Sequence, residues 1–128
     1  MNWAAENEGI DHINAYSKSK TRLGCLLSNF AHTPFECQDG HFVSIEGYWY
    51  WLSTHDEKLR ELYGAEAKSY GRKIRGKDWP RDEKFKLDIL RAITEKIAQN
   101  NSIQELLKWN ILPFKHYYVQ QGAISYPK

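Results

Sequence analysis

The sequence predicts an α+β domain, and three observations carry that prediction. Apolar and polar residues alternate in "INAYS" from Ile13, turn formers crowd "LLSNFAHTPFECQDGHFVSI", and apolar residues recur at helical spacing twice after Thr54. At 128 residues, with 41% hydrophobic and 27% charged residues, the chain is sized for one compact domain with one core. Helices are expected mostly in the second half, with a small β-sheet beside them.

Taken in order, residues 1–12 are polar and aperiodic and are expected to form a loose arm, leaving 13–128 as the single domain. "INAYS" predicts a short strand. Pro34 and the Asp39-Gly40 dipeptide before "HFVSI" mark a hairpin or loop. In "FVSIEGYWYWLS", residues 42–53, aromatic and β-branched neighbours require at least one buried face. Thr54 and Glu57 fit a capping box, and Leu59, Tyr63, Ala67, Tyr70 and Ile74 follow at helical spacing, which predicts a helix over 56–74. Gly76 and Pro80 in "RGKDWP" end it. Phe85, Ile89, Ile93 and Ile97 then form an i+4 stripe of an amphipathic helix. Ser102 and Glu105 fit another capping box, for a helix through Trp109 that buries Ile103, Leu106 and Leu107, and Pro113 closes it. "FKHYYV" and "QQGAIS" read either as two strands around a Gly122 turn or as an extended tail.

Composition excludes several classes. A formal charge of +2 is too small to require nucleic acid or membrane as partner. Cys25 and Cys37 make neither a CxxC pair nor a disulfide framework and are expected as free thiols. The N-terminal stretch lacks an apolar h-region, and there is no run of roughly eighteen apolar residues, so a soluble, cytoplasmic protein is expected. GxGxxG, GxxxxGK[ST] and HExxH motifs are absent. The five histidines, His12, His32, His41, His55 and His116, show no metal-ligand spacing, so no catalytic metal is expected; no cofactor is expected either.

Four features could carry chemistry. Glu46 stands alone among Val43, Ile45, Tyr48, Trp49, Tyr50 and Trp51; it is either a solvated edge-strand or helix-entry residue, or a carboxylate whose partial burial suits it to acid chemistry or to holding a ribose hydroxyl. Among the 14% aromatic residues, most read as core, while Trp49 and Trp79, the latter beside Asp78 in a break between helices, could stack on a base. "GRKIRGK", with Arg72, Lys73, Arg75 and Lys77, is either a dipole-complementing helix end or a phosphate grip. "SKSKTRLG", with Lys18, Lys20 and Arg22, has the same two readings.

In sequence order, "YSKSKTRLGCLLSNFAHTPF", "SIEGYW", "AKSYGR", "DW" and "LRAITEKIAQNNSIQELL" resemble the successive motifs of the NADAR superfamily, over Ile13 to Leu107. That family comprises small α+β proteins, among them N-glycosidases of riboflavin-pathway intermediates and ADP-ribosyl-guanine hydrolases. The resemblance implies a ligand pocket that includes Ser28, Asn29, Phe30 and Glu46, with Trp49, Asp78 and Trp79 as lining and Arg72 on a pyrophosphate. Many members carry His, Gln and Lys after the glutamate, where this chain has Gly47, Tyr50 and Ser53. The resemblance therefore leaves a reactive lysine to be supplied from elsewhere, Lys20 or Lys18. The compact size, "EGYWYWLS" and "FKHYYV" are similar to bacteriophage members and imply a counter-defence task in the host cytoplasm.

The resemblance thus implies a hydrolase that removes ADP-ribose from guanine in DNA. Its partner would be ADP-ribosylated nucleic acid, single-stranded DNA above all, or a small molecule containing ADP-ribose, with no membrane involved. Two rivals remain: hydrolysis of a phosphoribosylated pyrimidine, and non-enzymatic binding of ADP-ribose or NAD.

Overall fold

A computed structural model describes residues 4–75, 81–120 and 123–125. Strand β1 (Ile13–Asn14) leads into helix α1 (Arg22–Leu27), a hairpin of β2 (Phe35–Cys37) and β3 (Gly40–Phe42), and helix α2 (Ile45–Thr54). Helices α3 (Gly64–Ile74), α4 (Glu83–Gln99) and α5 (Asn101–Trp109) follow, then strands β4 (Phe114–Lys115), β5 (Tyr118–Gln120) and β6 (Ala123–Ser125). The class is α+β as predicted, with strands in three separate two-stranded pairs: β1 parallel to β4, and two antiparallel hairpins.

The helix starts follow from local chemistry. Thr21, Ser44 and Asp82 cap α1, α2 and α4, each accepting the backbone N–H three residues on, and so provide partners for donors that a helix leaves open. Gly24 is required where α1 crosses β1, because a Cβ there would collide with the Asn14 carbonyl and the Ser19 side chain. One apolar cluster joins Phe35 and Phe42 of the hairpin to Ile45 and Tyr48 of α2 and to Phe85, Ile89 and Ala92 of α4. Phe85, Ile89 and Ile93 of the stripe predicted for α4 thus pack on the hairpin and α2, while Ile97 packs elsewhere. A second cluster sets Ile13 and Leu23 against Ile103 of α5.

The predicted helix over 56–74 is split. Thr54 is the last residue of α2, with its hydroxyl bonded back to the Tyr50 carbonyl (2.9 Å). His55 turns left-handed (φ 54°), and Asp56 caps a single 3₁₀ turn over Glu57–Glu61. Glu57 does not close a box with Thr54; it accepts from Arg60 Nε (2.5 Å) and Trp51 Nε1 (3.0 Å) instead. Two helices were also missed, α1 and α2, the latter because its aromatic run masks a 3.6-residue period. Ser102 caps nothing: α5 begins one residue earlier, sharing Asn100 with the end of α4. Leu106 and Leu107 are only half-buried.

The expected loose arm is docked at its inner end. Glu8 and His12 are buried, and the Glu8 carboxylate accepts from the backbone N–H groups of Asn14 (2.8 Å) and Lys20 (2.9 Å) and from the Ser19 and Thr21 hydroxyls. Among the described residues, no helix is long and apolar enough to cross a membrane.

Candidate functional site

The segment Ser28–Phe30 is held by three helices at once. Its three successive carbonyls accept from Lys96 Nζ of α4 (2.8 Å), from the Glu46 backbone N–H at the start of α2 (2.9 Å), and from the Gly64 N–H at the start of α3 (2.9 Å). Helix starts leave such donors open, and an extended loop can offer carbonyls to them. Gly64 adopts φ +61°, which opens α3 within reach of Phe30. Sequences from three distant places are thereby fixed around one space.

That space is a cleft of about 840 Å³. Of the residues singled out in the sequence, Lys18, Ser28, Asn29, Phe30, Glu46, Trp49 and Arg72 all line it. Lys20 does not: it is exposed, and its backbone N–H is turned to Glu8. Asp78 and Trp79 lie outside the described residues.

Glu46 sits in the first turn of α2, half-buried, with its side chain in the cleft. Burial pushes its carboxyl above the usual range, and the positive charges of Lys68 and Arg72 partly oppose that push. Both cations belong to α3, four residues apart, so one face of that helix carries them together. Lys68 Nζ also lies 5.8 Å from the centre of the Phe30 ring. Trp49 packs edge to face on Phe85 (4.7 Å between centroids), with the Arg81 guanidinium 4.9 Å from the indole.

Lys68, Tyr50, Arg81, Tyr16, His116 and Tyr118 complete much of the lining and were not anticipated. The i, i+4 spacing of Lys68 and Arg72 could have revealed the first. The pair His116 and Tyr118 flanks buried Tyr117, an alternation that points them to the other side of the chain. Nothing local in the sequence could have shown that this tail reaches the same cleft as Glu46.

Behind the cleft, Lys96 is 1% exposed, and burial pushes its amine down to about 8. Its bond to the Ser28 carbonyl makes it the rear support of the loop. Cys25 and Cys37 are free thiols. Among the described residues, no group of three or more His, Cys, Asp or Glu side chains could hold a metal ion. Comparison with protein-family models, with curated proteins and with solved structures yields no match.

Proposed function

We propose that the protein is an N-glycosidase that removes ADP-ribose from guanine bases in DNA, reversing a toxin's modification as part of phage counter-defence. One observation carries this reading: a half-buried carboxylate, Glu46, faces an open cleft beside the cations Lys68 and Arg72. Breaking the bond between a base and ribose C1 develops positive charge on the sugar and negative charge on the base. Glu46, as a carboxylate with reduced hydration, stabilises the first or holds the ribose hydroxyls. Asn29, on its anchored loop, orients the sugar. Water adds to C1 as the C1–N bond breaks, and the departing base takes up a proton.

The cation that assists the base is assigned to Lys68 rather than Lys20, because Lys68 lines the cleft and acts on Glu46. Lys18, Lys68, Arg72 and Arg81 outnumber the single carboxylate among the described lining residues. That balance favours a ligand with a pyrophosphate over a phosphoribosylated pyrimidine, which carries one phosphate.

The test is incubation of wild type and Glu46→Gln with a short single-stranded oligonucleotide carrying ADP-ribosyl-guanine, followed by mass spectrometry. Loss of the ADP-ribose mass with wild type alone is expected. An oligonucleotide left intact by wild type overturns the substrate. Retained binding of ADP-ribose without turnover by wild type would instead establish a binding module.

A further inference from the structure

The cleft has a second aromatic wall that the glycosidic chemistry does not use. Strands β1 and β4 run parallel, pairing Ile13 with Phe114 and Asn14 with Lys115, and the ladder continues through Ala15 N–H to the Lys115 carbonyl (2.9 Å). Both strands therefore leave the ladder in the same direction, β1 towards Tyr16 and Lys18 and β4 towards His116 and Tyr118. Between the last two, Tyr117 is pinned inward. Its backbone N–H and carbonyl are both bonded to the Asn14 side-chain amide (3.0 Å each), and its hydroxyl meets the buried His12 ring. The alternation of an extended chain then turns His116 and Tyr118 to the cleft.

There the Tyr118 ring packs edge to face with Tyr16 (5.7 Å between centroids) and with His116 (5.3 Å). Two neighbours orient it, yet it stays 37% exposed, and neither apolar cluster includes it. Lys18 lines the same wall, and Lys20 and Arg22 are exposed in the same segment. Exposed, oriented aromatic rings beside cations are what a single strand needs, rings for its bases and charge for its backbone. The ligand's own rings already have Trp49 and Phe30 on the wall that carries Glu46.

We propose that Tyr118, supported by Tyr16 and His116, stacks a nucleobase neighbouring the modified one in single-stranded nucleic acid, with Lys18, Lys20 and Arg22 on the phosphates. The inference rests on the nucleic-acid reading of the cleft, and its test is independent of glycosidic cleavage. A fluorescein-labelled, unmodified oligothymidylate of about ten nucleotides is titrated with wild type, Tyr118→Ala and Tyr118→Phe, with anisotropy as the readout. Tyr118→Ala is expected to weaken binding about fivefold or more, the loss of one stacked base. Tyr118→Phe should bind like wild type, and added salt should weaken every complex. Thermal melts identify a Tyr118→Ala protein that fails to fold, in which case Lys18→Ala takes its place, with weaker binding and a shallower salt dependence expected.

No binding of the unmodified strand by wild type overturns the inference while leaving cleavage of a mononucleotide substrate open. Equal affinity of wild type and the folded Tyr118→Ala overturns it too. If free ADP-ribose binds wild type but not Tyr118→Ala, the ring holds the ligand's own adenine and the inference fails. Oligouridylate bound as tightly as oligothymidylate supports stacking indifferent to the sugar.

Discussion

Glu8 and Glu46 are two carboxylates that folding takes largely out of water, and the protein treats them in opposite ways. Glu8, 8% exposed, accepts from two backbone N–H groups and two hydroxyls, which ties the start of the chain to the loop before α1. Glu46 has no such set: among the described residues its carboxylate meets the charges of Lys68 and Arg72 and otherwise faces the cleft. A carboxylate whose two oxygens are both engaged holds structure and has little capacity for a ligand. One left open, and taken partly out of water against its charge, is available to a ligand.

The largest expected effect tests that difference directly. Glu46→Gln keeps the shape of the side chain and removes its charge, so cleavage of ADP-ribosyl-guanine should fall about 10²–10⁴-fold while the fold persists. Mass-spectrometric turnover and a thermal melt on the same preparation read both. A variant that keeps activity would end the assignment of Glu46.

The converse belongs to Glu8. Glu8→Ala leaves the Asn14 and Lys20 amides and two hydroxyls without their acceptor, at a cost of about 2–4 kcal/mol. Urea unfolding should show this as a lower midpoint, and activity per folded molecule should be close to wild type. Unchanged stability would mean that water replaces the carboxylate and that the arm is not anchored through it.

The two residues also differ in how well the sequence displayed them. Glu46 stood out because a lone acid interrupts an aromatic run, and Ser28, Asn29 and Phe30, singled out with it from "SNF" and "SIEGYW", line the same cleft. Glu8 sits in a polar, aperiodic stretch whose order comes from donors on the Asn14 to Thr21 segment, which no local pattern encodes. The same limit explains the helices. The stripe of α4 is regular and was legible, whereas the break at Leu62–Tyr63 depends on Gly64 meeting the Phe30 carbonyl, more than thirty residues away. Lys68 was not legible either, because it becomes a neighbour of Glu46 only when α3 packs on α2. That packing is close enough for a Cβ on Gly71 to collide with the Tyr50 ring.

Lys96 extends the comparison to a buried base. It is more enclosed than Glu8, but among the described residues its amine has the Ser28 carbonyl and no carboxylate. Its folded value of about 8 lies below the ordinary 10.5, so the unfolded chain binds more protons between those limits. Stability relative to Lys96→Met should therefore be constant below about pH 8 and rise by on the order of 1–3 kcal/mol as the pH approaches 10. Urea midpoints of both proteins across that range measure it. A flat difference would show that the amine remains solvated and charged.

The smallest effect sharpens the contrast most. Because burial raises the Glu46 carboxyl above its ordinary value, the folded protein holds that proton more tightly than the unfolded chain. Its contribution to stability is fully present below the ordinary glutamate range and is lost as the pH rises through the folded value. At neutral pH the ionised Glu46 thus costs stability, and Glu46→Gln should melt slightly higher than wild type, with the gap closing as the buffer is taken below the ordinary glutamate value. A carboxylate kept for structure behaves the other way, as Glu8→Ala does, with its removal lowering the melting temperature. A melting temperature that falls in Glu46→Gln would place Glu46 in the same structural role as Glu8, however much activity was lost with it. A rise would identify a side chain that the fold retains against its own stability, the mark of a residue held for a ligand.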